Sequence, residues 1–361
     1  MRKPGHVSTK HPVISLLLVL IIISLNVQSS SSLNLRVASW NLLAQCYVKP
    51  SKYPYCDPQH MAWEHRKSLM VQRILHVEAD IFCLQEVQVD LWPDLYDTIC
   101  QHNDGYKGVI QNVTKGHNVG NAILIKKSCG LDFQRCESRS RALIGVLANH
   151  KDDRLLYVCN VHLEAGEHQD DNLQRFYQLK SLFKRLVGQI QLDEPKIKRH
   201  DKIFLDEVPI IMMGDFNMLR TNPLHTFLTQ GLLQSPEQLN NLPAFRTIPL
   251  ADAYLECPNV QEHFMASDVL DGEEESSSSS GILEDAKEAD EQRSNNHQML
   301  QRTYATGFVL DYILFSHSMQ VQKTLLLHPM NKNRLRQEWP SADYPSDHLP
   351  VAADFEWTAE R

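Results

Sequence analysis

The sequence predicts a sheet-rich α/β domain over residues 34–358. Two observations lead there: short apolar runs alternate with segments of helical spacing, and 42% of the 361 residues are hydrophobic, enough for a sizeable core. No internal repeat or second domain is evident.

Residues 1–33 stand apart. Arg2, Lys3 and Lys10 precede fifteen apolar-rich residues, 13–27 (VISLLLVLIIISLNV), and a serine run follows from Ser29 to Ser32. That order describes a secretory signal peptide, with Val27 and Ser29 as the small residues at the cleavage site. The rival is an uncleaved signal anchor, for which fifteen residues fall short of the roughly 20 that span a bilayer. Either way the expected location is the secretory pathway, secreted or membrane-anchored, with residues 13–27 as the membrane contact; the alternative is cytoplasmic.

The domain then opens with LRVASW as a strand, MAWEHRKSLMVQRILHV as a helix and DIFCLQEV as a second strand. NAILIKK (121–127), ALIGVLAN (142–149) and LLYVCNVHL (155–163) continue the sheet. A helix is expected over 172–190, a strand at VPIIMMGDF (208–216) and a helix over 222–230. VLDYILFS (309–316) and LPVAADFEW (349–357) complete the strands.

Between the helix expected over 222–230 and VLDYILFS lies an acidic, serine-rich insertion, residues 268–298. It is too poor in apolar residues to offset the cost of ordering, so a disordered surface loop is expected. Residues 268–291 hold ten acids and one lysine, a local charge of −9 out of a total of −8. The remainder carries about +1, so charge neither favours nor excludes a polyanionic substrate. Of the eight cysteines, Cys83 and Cys159 sit inside apolar strands as small hydrophobes, and Cys129 and Cys136 could bridge across a loop, a pairing that sequence alone does not establish. Asn112-Val113-Thr114 forms an N-glycosylation sequon in a polar segment.

Several strands end in polar residues. In GDFN, Asp215 and Asn217 are two positions apart, so on an extended strand they share a face, and Gly214 permits close approach just before them. SWN places Asn41, LQE places Glu86, NVH places His162, LDY places Asp311 and SDH places Asp347 and His348 at comparable positions. One such residue is commonly a cap or turn; so many point to a shared site.

The ordered set W-N-L, L-Q-E-V, N-V-H-L, G-D-F-N, L-D-Y-I and S-D-H-L-P resembles the endonuclease/exonuclease/phosphatase superfamily, from Arg36 to Trp357. The implied fold is a deoxyribonuclease-I-like, four-layer α/β/β/α sandwich with the site at one edge of two packed sheets. YPYCDPQHMAWEHRKSLM and GDFNMLRTNPLHTFLTQGLL resemble the deadenylase-type branch that includes nocturnin, the angel proteins and 2',5'-phosphodiesterase. Val119-Gly120-Asn121-Ala122 departs from that branch's D-G-C-A, which bears on the substrate.

The resemblance implies Glu86, Asn41 and Asp347 as ligands of Mg²⁺, with Mn²⁺ as a substitute, and the oxygen-rich set agrees with that choice over zinc. It implies Asp215 as general base, Asn217 as a neutral orienting group, His162 and His348 as donors to the phosphate, and Asp311 as the partner of His348. Arg175 and Asn121 are the candidate substrate contacts. For Trp63 and Tyr177, core packing is expected over base stacking.

The expected activity is Mg²⁺-dependent hydrolysis of RNA from the 3' end, as a poly(A)-specific exoribonuclease. An alternative is another phosphate ester on the same residues: DNA, 2',5'-oligoadenylate, a nucleotide 2'-phosphate or a phospholipid or inositol phosphate. A second alternative is a binding protein without turnover, against which every proposed metal and acid-base position holds a reactive residue.

Overall fold

The computed structural model describes residues 32–102, 105–195, 207–231, 247–257, 260–264, 303–304, 308–328 and 338–357. Residues 13–27 and the insertion at 268–298 lie outside the described residues. Among the described residues no helix is long and apolar enough to cross a membrane.

Two sheets face each other. The first is built from β1 (Leu33–Asn41), β2 (Ile81–Gln88), β3 (Tyr106–Ile110), β4 (Val119–Lys126), β10 (Val260–Phe264), β12 (Gln320–His328) and β13 (Val351–Trp357). Its order is β10-β12-β13-β1-β2-β4-β3. The second holds β5 (Leu131–Arg139), β6 (Ala142–Asn149), β7 (Leu155–His162), β8 (Ile210–Asp215), β9 (Ala251–Asp252) and β11 (Asp311–Phe315), in the order β5-β6-β7-β8-β11-β9.

Alternation along the strands explains the layers. In β8, Ile211 and Met213 join Val37, Ile81 and Val158 between the sheets, while Ile210 and Met212 face outward. Strands buried on both faces read as continuous apolar runs, as VPIIMM does. Outside the second sheet, Phe176, Leu179, Phe183, Leu186 and Ile190 of helix α3 (Gln169–Asp193) cover Ile210 and Met212. Outside the first, Met70, Val71, Ile74 and Val77 of α1 (Trp63–Val77) cover Ala38, Trp40 and Leu84, with Leu95 and Ile99 of α2 (Trp92–Cys100) beside them. The result is the expected four-layer sandwich.

Local signals set several boundaries. Helix α4 (Pro223–Gln230) starts where the Asn222 side chain accepts the Leu224 N–H at 3.0 Å and stops at Gly231, φ +69°. The structure extends the helix expected over 172–190 to 169–193 and keeps ALIGVLAN as written. It adds α2, β3, β5, β10 and β12, whose sequences alternate polar and apolar residues too weakly to stand out. Cys129 and Cys136, which the sequence left open to pairing, are both free. Cys129 packs against the inter-sheet core.

One buried polar cluster braces the second sheet. Asp252 accepts from Arg220 Nε at 2.8 Å and from the Tyr254 backbone N–H at 3.0 Å, with His225 Nε2 at 3.3 Å. The bond from the Tyr254 N–H caps the start of the short helix α5 (Ala253–Glu256). Burial would raise the Asp252 pKa, but the His225 hydrogen bond and the Arg220 charge outweigh it and hold the carboxyl below its usual range. A carboxyl whose folded pKa is depressed contributes stability above its unfolded pKa of about 3.9, and that stability is lost as pH falls through the folded value. Asp252→Asn leaves Arg220 without its counter-charge. We expect it to lower unfolding free energy at pH 7 by about 3–5 kcal/mol, and the urea midpoint to change less between pH 5 and pH 3 than in the parent.

Candidate active site

The inter-sheet layer turns polar at one end. The inward-facing column of β1 runs Leu35, Val37, Ser39, Asn41; that of β7 runs Leu156, Val158, Asn160, His162; that of β8 runs Ile211, Met213, Asp215. Register aligns the last members, since His162 pairs with Asp215 across β7 and β8, and Asp215 with Asp311 across β8 and β11. Three candidate residues therefore occupy one row of the second sheet. β8 approaches β7 so closely that a Cβ on Gly214, φ +150°, would lie 1.9 Å from the Val161 carbonyl oxygen. That contact is why glycine precedes Asp215.

Glu86 reaches the same cleft by a distortion. Strict alternation from Ile81, Cys83 and Gln85 would send Glu86 outward. The β2–β4 register shifts between Leu84 and Val87, and Glu86 adopts φ +53°. The bulge turns Glu86 to the side of Gln85 and moves Val87 to the outer core.

The side chains then interlock. Asn41 Nδ2 donates to Asp215 Oδ2 at 3.0 Å and to Glu86 Oε1 at 3.2 Å. Its Oδ1 accepts the Leu43 N–H at 3.0 Å, which fixes the amide with its donor toward the carboxylates. In this orientation Asn41 braces the acids and does not offer them its oxygen, which differs from the ligand expected from the sequence. Glu86 Oε2 accepts the Ala44 N–H at 3.0 Å, and Asp215 Oδ1 accepts the Asn217 N–H at 2.9 Å. Asn217, φ +50°, donates Nδ2 to the Leu163 carbonyl at 3.1 Å. His348 Nδ1 stands 2.9 Å from Asp311 Oδ2, with its Nε2 3.6 Å from Asp215 Oδ2. His162 Nε2 lies 3.8 Å from Asp215 Oδ2 and 3.9 Å from Glu86 Oε1.

The two histidines differ. Burial lowers the His162 pKa and prevails over the attraction of Asp215, so the ring is held neutral at pH 7. For His348 burial acts the same way, but Asp311, Asp215 and Asp347 outweigh it and push it up to about 10. Burial raises both Asp215 and Glu86, and Asp347 raises Glu86 further.

Asp215, Asp311 and His348 offer ligand atoms within 4.8 Å of one another. Asp311 Oδ1 is buried with no hydrogen-bond partner among the described residues. Glu86 and Asp347 add hard carboxylate oxygens whose mutual repulsion a divalent cation relieves. This crowded, oxygen-rich set fits Mg²⁺, with Mn²⁺ as a substitute, and contains no thiolate.

Two candidates fall elsewhere. Arg175 is buried, donating Nε to the Glu164 carbonyl at 2.7 Å, Nη1 to Asn172 Oδ1 at 2.7 Å and Nη2 to the Gly166 carbonyl. It shapes the loop after His162, with its donors taken by neighbouring groups. Asn121 is buried between the sheets, with Nδ2 donating to the Asn160 carbonyl at 3.2 Å. Tyr177, expected in the core, is 49% exposed, while Trp63 packs partly against the outer core.

Other residues escaped the sequence reading. Tyr53 donates its hydroxyl to Asp347 Oδ2 at 2.8 Å, and the Tyr304 ring lies 4.7 Å from that of His348. Ser346 donates Oγ to the Asn41 carbonyl at 2.7 Å, tying the segment that carries Asp347 and His348 to β1. Asn160 donates to the Leu84 and Ala122 carbonyls at 2.9 and 2.7 Å and accepts from Gln85 at 2.8 Å. The NVH motif contained Asn160, but a strand-interior asparagine carries no signal of its partners.

Comparison with known proteins agrees with this arrangement. No family model matches the chain. It is 24% identical to the CCR4-Not complex 3'-5'-exoribonuclease subunit Ccr4 of Schizosaccharomyces pombe over 93% of its own length and 51% of that protein. Drosophila melanogaster nocturnin is 23% identical over 90% of the chain and 47% of the relative. The chain thus spans about half the length of these curated relatives. The ANGEL2 crystal structure with adenosine-2',3'-vanadate shares the fold with a TM-score of 0.59 at 17% identity, covering 90% of this chain and 96% of that one. The human nocturnin catalytic domain follows at 0.53 and 20%, covering 90% and 94%. The fold is thus the deoxyribonuclease-I-like fold of these endonuclease/exonuclease/phosphatase structures. In this fold the cleft brings together carboxylates suited to a divalent cation and a protonated imidazole beside them.

Two measurements check the construction. Asn160→Ala removes the donor to the Leu84 and Ala122 carbonyls and one acceptor of the Gln85 amide, and we expect a loss of about 2–3 kcal/mol in urea unfolding. Glu86→Gln removes a carboxylate charge, so Mn²⁺ affinity measured by electron paramagnetic resonance should fall at least about tenfold.

Proposed function

We propose that the protein is a Mg²⁺-dependent exoribonuclease that removes nucleotides from RNA 3' ends, with poly(A) as its substrate. The observation that carries the reading is the position of Asp215, held at once by Asn41 and Asn217 and flanked by both histidines. Support for the substrate comes from relatives named as a 3'-5'-exoribonuclease subunit and as 2',5'-phosphodiesterase 12 (Bos taurus, 20% identical over 90% of the chain).

A phosphodiester is a poor electrophile, and its hydrolysis needs charge neutralisation, an activated water and donors for the growing charge. Mg²⁺ held by Glu86 and Asp347 would supply the first. Asp215 takes the proton from the attacking water, and burial, which raises its pKa, makes it a stronger base than an exposed aspartate. Asn217 sits beside that water without adding charge. His348, kept protonated and oriented by Asp311, donates to the phosphate oxygens, and neutral His162 donates from the opposite side.

The location we propose is the secretory pathway, secreted or membrane-anchored, on the strength of residues 13–27 and the basic residues before them. Asn112 of the sequon is exposed and open to glycosylation there. Recovery of a chain that still begins at Met1 in a soluble cytosolic fraction would overturn this.

The assay is digestion of a 5'-labelled RNA ending in adenosines, beside a DNA oligomer, 2',5'-oligoadenylate, a 2',3'-cyclic phosphate and NADPH. We expect a ladder receding from the 3' end, abolished by EDTA and lowered about 10²- to 10⁴-fold by Asp215→Asn. Hydrolysis of another substrate with the RNA intact would sink the substrate assignment. The pH profile of kcat/KM should be bell-shaped. Its acid limb reflects ionisation of the raised Asp215 and lies above the usual carboxylate range. Its alkaline limb falls near 10 as His348 loses its proton, and Asp311→Asn should move that limb down.

A further inference from the structure

Between Ala44 and Cys56 the chain reads QCYVKPSKYPY, with tyrosines at 47, 53 and 55 and lysines at 49 and 52. This arm is anchored at both ends of the cleft. Ala44, at its start, donates its N–H to Glu86, and Tyr53, near its end, donates its hydroxyl to Asp347. Buried Arg66 fixes its root by donating Nη2 to the Leu42 and Leu43 carbonyls at 2.7 and 2.5 Å and Nη1 to Gln45 Oε1 at 2.8 Å. The Tyr55 hydroxyl is fastened to the Trp339 carbonyl, and its ring meets that of Tyr53 edge-on at 6.3 Å.

A rigid arm of this kind would ordinarily tuck its aromatic rings inward. Here Tyr47 and Tyr55 are 46% and 45% exposed, and Lys49 and Lys52 are exposed between them. Exposed rings on a pinned backbone bind flat partners with little ordering cost, because the conformational entropy is already spent in folding. Two rings with two cations between them match the needs of a single strand: faces for bases and charges for the phosphates linking them.

We propose that residues 47–55 form a binding platform for single-stranded RNA beside the reacting phosphate, with Tyr47 and Tyr55 stacking on nucleobases and Lys49 and Lys52 contacting the backbone. This rests on the exoribonuclease reading and deepens it, since a platform of this length serves an oligonucleotide and is superfluous for a small phosphate ester. It also supplies what Arg175 and Asn121 do not, a substrate contact that faces solvent.

The test uses the full chain carrying Asp215→Asn, so that RNA binds without being consumed, and a fluorescein-labelled twenty-nucleotide adenosine RNA in Mg²⁺, read by polarisation. Tyr47→Ala and Tyr55→Ala should each weaken binding about tenfold, and Tyr47→Phe, which keeps the ring, should restore it. The double variant Lys49→Ala/Lys52→Ala, altered only at exposed positions, should reduce the slope of log affinity against log salt by about 1.4. In the active protein, the ratio of kcat/KM for the RNA to that for bis-p-nitrophenyl phosphate should fall about tenfold in Tyr47→Ala. Affinities within twofold of the parent and an unchanged salt slope would overturn the platform while leaving the nuclease reading intact. A parent that hydrolyses the small diester but binds no RNA would overturn both.

Discussion

The site depends on a contact that takes no part in the chemistry: the Asn160 carboxamide between the two sheets. Asn160 belongs to the second sheet, yet it donates to backbone carbonyls of β2 and β4 in the first and accepts from Gln85. Apolar packing fills the space between sheets without directing it, and a layer of methyl groups tolerates a slide of an ångström. Three directed hydrogen bonds in a dry interior do not, because each partner left unpaired costs about 1–3 kcal/mol. Asn160 precedes His162 by one strand repeat and Gln85 adjoins Glu86. The same bonds that fix the sheets thus fix the distance between the carboxylate of one sheet and the imidazole and carboxylate of the other.

That coupling explains why the catalytic set was legible in the sequence while its supports were not. Asp215, Asp311 and His162 sit at strand ends, where a polar residue interrupts an apolar run and is visible without knowledge of the fold. Register then brings them into one row, as expected from their positions. Arg175 was a candidate substrate contact, yet its donors are satisfied by groups of its own neighbourhood, and no sequence pattern distinguishes an arginine that clamps a loop from one that meets a ligand. Asn121 misled for a related reason: an asparagine in a strand can face a cleft or bind the next sheet, and only the packing decides. Glu86 was found by its motif, but alternation alone would have sent it to the wrong face. The bulge that corrects this comes from a left-handed residue, which the letters LQEV do not announce.

Strain at Glu86 and Asn217 is of one kind. Both are non-glycine residues at positive φ, of order 1 kcal/mol or more each, and both flank the Asp215–Asn41 hydrogen bond. The surrounding layers hold these conformations in place, since Glu86 follows a strand buried on both faces and Asn217 is tied to the Leu163 carbonyl. The core does more than stabilise the fold. Its free energy of burial is what keeps two backbone torsions where the side chains must point.

Charge is the remaining constraint. Glu86, Asp215, Asp311 and Asp347 converge on a buried cleft with protonated His348 as their nearest cation, since His162 is held neutral and Arg66 is engaged by carbonyls and an amide. Such a cleft repels a phosphodiester. The repulsion is tolerable only if a divalent cation occupies the carboxylates, and burial, which raises both Glu86 and Asp215, with Asp347 adding to it at Glu86 and Asp311 at Asp215, marks how costly unneutralised charge is there. An anionic substrate is therefore drawn in by groups outside the cleft and accepted inside it only with the metal present. This places the burden of substrate recognition on the rim, where sequence motifs are weakest.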